Sequence, residues 1–144
     1  MKKKIAIGAD HAGYNLKRDI ILFLEEKGFT VIDFGCPSEE SIDYPDYAHP
    51  VAELVQKEGI LGILICGSGN GISMSANKHS GVRCALCWHK EIAELARQHN
   101  DANIISLPAR YISLSEAKEC VDAFIKTNFE GGRHQRRVNK IACS

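Results

Sequence analysis

Three groups of polar residues each follow a short apolar segment of this 144-residue chain. The groups are Asp10-His11, Cys66-Gly67-Ser68-Gly69-Asn70-Gly71, and Arg110. A glycine-rich loop that enters a helix lets backbone N–H groups converge on an anion, and the same surroundings favour a reactive thiolate. Cys66 is therefore a candidate for acid–base or nucleophilic chemistry. The alternative is that Cys66 is only the last buried residue of a strand.

The glycine-rich loop does not match the motifs of nucleotide-binding proteins. Gly67, Gly69 and Gly71 form G-x-G-x-G, whereas the dinucleotide fingerprint needs its third glycine where Ile72 stands. No acidic residue follows at the expected ribose-binding distance, and the chain contains no Gly-Lys-Ser/Thr sequence for a nucleoside triphosphate. The loop suits a smaller anion or an oxyanion.

The basic tail is a candidate phosphate site. In a helix Arg133 and Arg137 would share one face, and two guanidinium groups on one face can clamp a phosphate. The alternatives are a solvated basic helix end and a tail that binds nucleic acid. A formal net charge of zero and the lack of interleaved aromatic residues disfavour nucleic acid.

His99 and Asn100 precede the last predicted strand, so we expect them at the opposite edge of the sheet from the three groups above. A histidine in such a place is usually only a polar loop residue. If His99 takes part in catalysis, it enters the pocket of a partner subunit, and activity then requires a dimer.

The six cysteines are expected to be free thiols, because several lie in apolar segments and no secretion signal accompanies them. Cys84 and Cys87 form a single C-x-x-C within a predicted strand. Residues three apart on a strand point to opposite faces, so this pair is expected to pack in the core rather than to bind zinc or form a redox pair.

The elements that must position these residues alternate between apolar strands and amphipathic helices. Strands are predicted over 4–9, 30–34, 60–66, 82–87 and 103–107. Helices are predicted over 14–27, 46–57, from the glycine loop to about 79, over 90–98 and 115–127, and in the tail over 132–142. A turn-rich stretch spans 35–45. This alternation predicts one α/β domain over 1–144, with a five-stranded parallel sheet, helices on both faces and a C-terminal helix. Ligands bind beyond the carboxyl ends of such strands.

Composition excludes several classes of function. Balanced charge gives no reason to expect nucleic acid or an acidic membrane surface as a partner. The longest apolar runs are too short to span a bilayer, and the charged start is not followed by the apolar stretch of a signal peptide. We therefore expect a cytoplasmic protein with no membrane or nucleic-acid partner.

Five motifs occur in order over nearly the whole chain: GADHAGYNLK, DYPDYA, ICGSGNGISMSANK, RQHNDANI and EGGRHQRRV. With them the sequence resembles the ribose-5-phosphate isomerase type B family, which also includes galactose-6-phosphate and allose-6-phosphate isomerases. The resemblance implies a Rossmann-like three-layer α/β/α domain that works as a homodimer or homotetramer on a small phosphorylated sugar. It implies no metal and no other cofactor.

The resemblance also implies residue roles. Cys66 is expected to move a proton between neighbouring carbons through a cis-enediolate, whose oxygen the loop amides of 67–71 would stabilise. His99 is expected to open the sugar ring, with Asp10 and Ser68 assisting. The substrate-binding residues implied are His11, Gly67, Gly69, Asn70, Gly71, Asn100, Arg110, Arg133 and Arg137, and the phosphate cradle among them is His11 with the three arginines.

Differences within that family guide the choice of substrate. Some members use a glutamate a few residues beyond the strand as the base, but Ile72 and Ser73 are not acidic here. Ser68 stands where threonine is also common. One galactose-6-phosphate isomerase subunit type lacks the Asp-His pair that this chain keeps. Ribose 5-phosphate is therefore the expected substrate, and a hexose-6-phosphate isomerase or a non-catalytic sugar-phosphate-binding protein is the alternative.

Overall fold

The computed structural model describes residues 3–35 and 42–143. The strands are β1 (Lys4–Ala9), β2 (Thr30–Asp33), β3 (Leu61–Cys66), β4 (Cys84–Leu86) and β5 (Ile104–Pro108). The helices are α1 (Tyr14–Glu26), α2 (Pro45–Glu58), α3 (Asn70–Ala76), α4 (Lys90–Gln98), α5 (Leu114–Lys126) and α6 (Arg133–Val138), and a 3-10 turn (His11–Gly13) precedes α1. Most of the predicted turn-rich stretch lies outside the described residues.

The five strands form one parallel sheet in the order β2-β1-β3-β5-β4. The most apolar strand, β3, lies at its centre. Ala9 at the end of β1 is paired with Ile65, and Cys66 at the end of β3 is paired with Pro108. The register therefore brings the carboxyl ends of β1, β3 and β5 side by side.

Two apolar clusters lie on the two faces of the sheet. Alternate residues of β3 separate between them, with Ile63 and Ile65 packing on one side and Leu64 on the other. Helices α1, α4 and α5 complete the first cluster, and α2 and α3 complete the second. This arrangement confirms the predicted three-layer α/β/α architecture with a five-stranded parallel sheet.

Three predicted elements fall short of their predicted bounds by two or more residues. α3 ends at Ala76 rather than near residue 79, because the amides of Lys78 and His79 donate to carbonyls three residues back. β4 begins at Cys84 rather than residue 82, because side-chain amides bind the backbone at its start: Asn103 accepts from the Arg83 amide and Asn77 from the Cys84 amide, both at 2.8 Å.

The tail helix ends at Val138 rather than residue 142. The amides of Lys140 and Ile141, just after the helix, donate to carbonyls three residues back, so the chain continues as a tighter turn and not as α-helix.

The cysteines behave as the sequence predicts. Cys84 contacts the cluster under α2 and α3, whereas Cys87 belongs to the cluster on the opposite face. The five cysteines within the described residues are free thiols. Among the helices in the described part of the chain, none is both long and apolar enough to cross a membrane.

Candidate active site

The carboxyl ends of the three central strands carry three of the predicted groups. Asp10 follows β1, Cys66 ends β3, and Arg110 lies just beyond β5. The Asp10 amide donates to the Ile65 carbonyl at 3.2 Å. The Arg110 amide donates to the Gly67 carbonyl at 3.0 Å. These bonds hold the strand ends together, so the groups meet at one edge of the sheet.

Cys66 is nearly buried, with 5% of its surface exposed, and lies on the face that α2 and α3 cover. The Gly69 amide donates a hydrogen bond to its Sγ atom at 3.2 Å. In the same loop the Asn70 amide donates to Ser68 Oγ at 3.2 Å. A sulfur that accepts a backbone N–H is well placed for a reaction in which it takes up a proton and returns it.

Asp10 has a structural role at this edge. It is buried, and its Oδ1 atom accepts hydrogen bonds from the amides of Ala12 (3.0 Å) and Gly13 (3.2 Å). These bonds cap the 3-10 turn that leads into α1. The carboxylate is thereby held rigidly at the same edge as Cys66.

His11 and Arg110 frame the same edge. His11 Nδ1 accepts a hydrogen bond from the Ile42 amide at 3.2 Å, which places the ring proton on Nε2. The Arg110 side chain lies over Gly67, where a Cβ atom would come within 3.0 Å of a guanidinium nitrogen. A cation above the loop amides makes this edge favourable for an anion.

A cavity of about 420 Å³ opens beside the loop. Its lining residues are Ser68, Asn70, Leu86, Trp88, Pro108 and Tyr111. That volume lies within the range of small-molecule sites. Trp88 and Tyr111 are largely exposed, so the cavity offers aromatic surface next to the polar loop.

The remaining predicted residues lie at the opposite edge. His99 and Asn100 come between α4 and the start of β5, and Arg133 and Arg137 are exposed on α6. The five residues of β5 span about 17 Å. One copy of the chain therefore does not bring these four residues to Cys66, which agrees with the position predicted for His99.

His99 is part of a compact cluster at that second edge. Its ring stacks on His134 with centroids 4.3 Å apart and planes 12° from parallel. Glu130 Oε1 lies 4.0 Å from His99 Nε2 and 3.5 Å from His134 Nε2. Burial, helped by the nearby charges of His99 and Arg133, lowers the pKa of His134. The lowered pKa favours the neutral form of the His134 ring that stacks on His99.

Within the described part of the chain, these three residues form the one group whose possible ligand atoms lie close enough together to hold a metal ion. Those atoms are all within 4.8 Å of one another. A metal ion lies in the plane of each imidazole that binds it, and two stacked, nearly parallel rings do not share such a point. One ring would have to rotate before both could bind one ion. In the present geometry the two imidazole rings share the Glu130 carboxylate and are not arranged to bind a common metal ion.

Similarity to known proteins identifies the family. The family model described as Ribose/Galactose Isomerase matches residues 5–141. Ribose-5-phosphate isomerase B of Escherichia coli is 49% identical over 142 residues, which cover 96% of this chain and 94% of that protein. The chain belongs to the ribose/galactose isomerase family.

Solved structures of ribose/galactose isomerase family members share the fold. Ribose-5-phosphate isomerase B of Clostridium thermocellum superposes with a TM-score of 0.94 at 51% identity, covering 96% of this chain and 94% of that one. The Mycoplasma genitalium enzyme, solved with bound ribulose-5-phosphate, gives a TM-score of 0.94 at 48% identity, covering 98% and 95%. The fold of this chain is thus that of the family over nearly its full length.

Three residues lie beside predicted site residues although the sequence analysis did not select them. Glu130 and His134 surround His99, as described above. Tyr44 packs on the loop, since a Cβ atom at Gly71 would lie 2.5 Å from its ring. All three lie inside the motifs DYPDYA and EGGRHQRRV, so their presence there was the available signal.

Proposed function

We propose that this family member interconverts ribose 5-phosphate and ribulose 5-phosphate. It is 49% identical to the ribose-5-phosphate isomerase B of Escherichia coli. It is 48% identical to a Mycoplasma genitalium protein named probable ribose-5-phosphate isomerase B. A structure 48% identical to this chain holds ribulose-5-phosphate. The chain is accordingly an aldose–ketose isomerase of a phosphorylated pentose.

The observation that carries the mechanism is the position of the Cys66 sulfur, which faces the Gly69 amide at the carboxyl end of β3. In the proposed reaction Cys66 removes the proton from C2 of the open-chain aldose. The electron pair forms a C1–C2 double bond, and the carbonyl oxygen on C1 becomes the negative oxygen of a cis-enediolate. The C2 hydroxyl then gives up its proton and the oxygen on C1 takes one up, while the proton held by Cys66 returns to C1. C1 thus becomes CH2OH and C2 becomes the carbonyl of the ketose, with no net change in atoms or electrons.

The loop amides and the cations supply the rest of the proposed site. In this proposal, amides of the loop 67–71 would stabilise the oxygen of the enediolate as its charge develops. His11 and Arg110 lie beside that loop and suit the phosphate. Asp10 and Ser68 are proposed to assist proton transfer on the sugar hydroxyls.

The four residues at the opposite edge enter the proposal as the contribution of a second subunit. We place His99 of one chain in the pocket of its partner, as the group that opens the furanose ring. Asn100, Arg133 and Arg137 accompany it, and the two arginines complete the phosphate cradle. A homodimer or homotetramer is therefore the proposed active form, with each site shared between two chains.

The test compares ribose 5-phosphate, allose 6-phosphate and galactose 6-phosphate as substrates of the purified protein in EDTA, by following ketose formation. We expect preferred turnover of ribose 5-phosphate, lost about a thousandfold or more in Cys66→Ala. Cys143→Ala is the control variant. It also removes one thiol, but from an exposed cysteine to which the proposed reaction gives no role, so it should keep full activity.

The other outcomes redirect the proposal. Turnover of a hexose ester alone would keep the mechanism and change the substrate. Full activity of Cys66→Ala would show that another group is the base. Binding without turnover of any of the three esters would favour a sugar-phosphate-binding protein.

A further inference from the structure

Ser106 is a hydroxyl in the middle of the apolar strand β5, and none of its surface is exposed. Side chains alternate between the faces of a strand, so Ser106 lies on the same face as Ile104, which belongs to the cluster under α2 and α3. A buried hydroxyl costs free energy unless it forms a hydrogen bond. A serine is therefore tolerated at this buried position only if its hydroxyl group has a hydrogen-bond partner.

That partner is Gly69 in the glycine-rich loop of residues 67–71. Ser106 Oγ donates to the Gly69 carbonyl at 2.6 Å, across 37 positions of sequence. The amide of the same glycine donates to Cys66 Sγ at 3.2 Å. Gly69 thus connects the core serine to the proposed base, with its carbonyl held by β5 and its N–H directed at the sulfur.

Gly69 does not select this conformation by itself. Its φ of +78° lies in the left-handed region, and glycine reaches that region about as readily as the others open to it. A side chain cannot supply the constraint, because a Cβ atom at Gly69 would collide with Leu86. The hydrogen bond from Ser106 is a contact from outside the loop that fixes the peptide unit between residues 69 and 70. The preceding unit, which carries the Gly69 N–H, is joined to it through φ and ψ of Gly69, so holding the carbonyl limits the directions that the N–H can take.

We propose that Ser106 is a positioning residue of the isomerase site. By binding the Gly69 carbonyl, it keeps the Gly69 amide aimed at the Cys66 sulfur. Ser106 acts through the loop and not on the sugar. The inference rests on the proposed function for its effect on turnover, whereas its effect on the Cys66 sulfur is measured without any substrate.

The first experiment uses Ser106→Ala with Thr127→Val as a matched control. Thr127 Oγ1 donates to the Ala123 carbonyl at 2.6 Å, the same bond length, but at the end of α5 and outside the loop. We expect Ser106→Ala to lower kcat for ribose 5-phosphate about tenfold with KM within about twofold, because the bond orients the base and not the phosphate. Thr127→Val should leave both constants unchanged.

The second readout is the pH dependence of Cys66 alkylation by iodoacetamide, followed on the Cys66 peptide by mass spectrometry. Without the oriented amide, the midpoint should move upward by about one pH unit in Ser106→Ala and stay in place in Thr127→Val. A change in the accessibility of Cys66 would alter the maximal alkylation rate reached at high pH, but not the pH at which half of that rate is reached. If the native protein does not turn over ribose 5-phosphate, the proposed function fails while the midpoint still decides the role of Ser106.

A second pair keeps the test valid if Ser106→Ala does not fold. Ser106→Thr and Ser106→Val add the same volume to the strand and differ only in the hydroxyl group. We expect the alkylation midpoint of the threonine variant to lie about one pH unit below that of the valine variant. Equal alkylation midpoints in Ser106→Thr and Ser106→Val would overturn the proposal. So would an alkylation midpoint in Ser106→Ala that equals the one in Thr127→Val.

Discussion

The cysteines of this chain occupy two kinds of surroundings. Cys66 receives an amide hydrogen bond at the end of β3, whereas Cys84 and Cys87 pack among apolar side chains on opposite faces of the sheet. Burial raises the pKa of both Cys84 and Cys87 from 9.0 to about 12. Both thiols therefore stay protonated near neutral pH, which explains why a C-x-x-C sequence need not mean metal or redox chemistry.

Selective labelling should reveal this difference. At about pH 8.5 the thiolate fraction of Cys84 or Cys87 is smaller by roughly a thousandfold than that of a thiol with its ordinary pKa. We expect iodoacetamide to label exposed Cys143 in the folded protein and to leave these two unlabelled, as measured by peptide mass spectrometry. All three should be labelled in urea. Labelling of Cys84 at the rate of Cys143 in the folded state would contradict the prediction.

At the scale of elements, the 3-10 turn before α1 lies against β3 because Gly13 has no side chain. A Cβ atom at Gly13 would lie 2.7 Å from both the carbonyl oxygen and Cγ2 of Ile65. The Gly13 amide also donates to the Asp10 carboxylate. The packing of this turn and the orientation of Asp10 thus depend on the same glycine.

We expect Gly13→Ala to lower the free energy of unfolding by about 1–3 kcal/mol, because the added methyl group overpacks a backbone contact. Urea denaturation measures the effect. Gly81→Ala is the control, since its Cβ atom would meet the exposed Gln56 side chain, which can move aside at the cost of one exposed hydrogen bond from the Gly81 amide. Equal stability of the two variants would show that the turn shifts away from β3 at little cost.

The sequence predicts elements best where local pattern and burial agree. β3 and β5 are almost continuously apolar, and their predicted bounds lie within one residue of the structure. β4 and α6 were predicted too long, because tertiary hydrogen bonds decide where a short edge strand and a short terminal helix stop. Such contacts have no signature in local periodicity.

The same division holds for the candidate site. Asp10, Cys66 and Arg110 could be grouped from sequence because parallel strands end at one edge. Ser106 could not be found in this way. A single serine in an apolar strand gives no periodic signal, and its partner Gly69 lies 37 positions away.

At the scale of the whole molecule, the candidate residues divide between two edges of one sheet. The Cys66 loop lies at the carboxyl ends of the strands, and the stacked pair His99 and His134 lies at the other edge. A parallel sheet keeps these edges a strand length apart, so no side-chain rotation unites them. If both groups serve one reaction, the complete site needs two copies of the chain.

Mixing two defective variants tests this arrangement. Cys66→Ala and His99→Asn should each be slow on ribose 5-phosphate, because every site in a homodimer lacks one group. A dimer formed from one chain of each has one site with neither residue and one site with both. Random pairing after co-refolding should therefore restore about a quarter of the native activity. A mixture of Cys66→Ala with the double variant is the control and should stay inactive. If differently tagged chains are shown to exchange and activity still does not return, the two groups do not act together in a shared site.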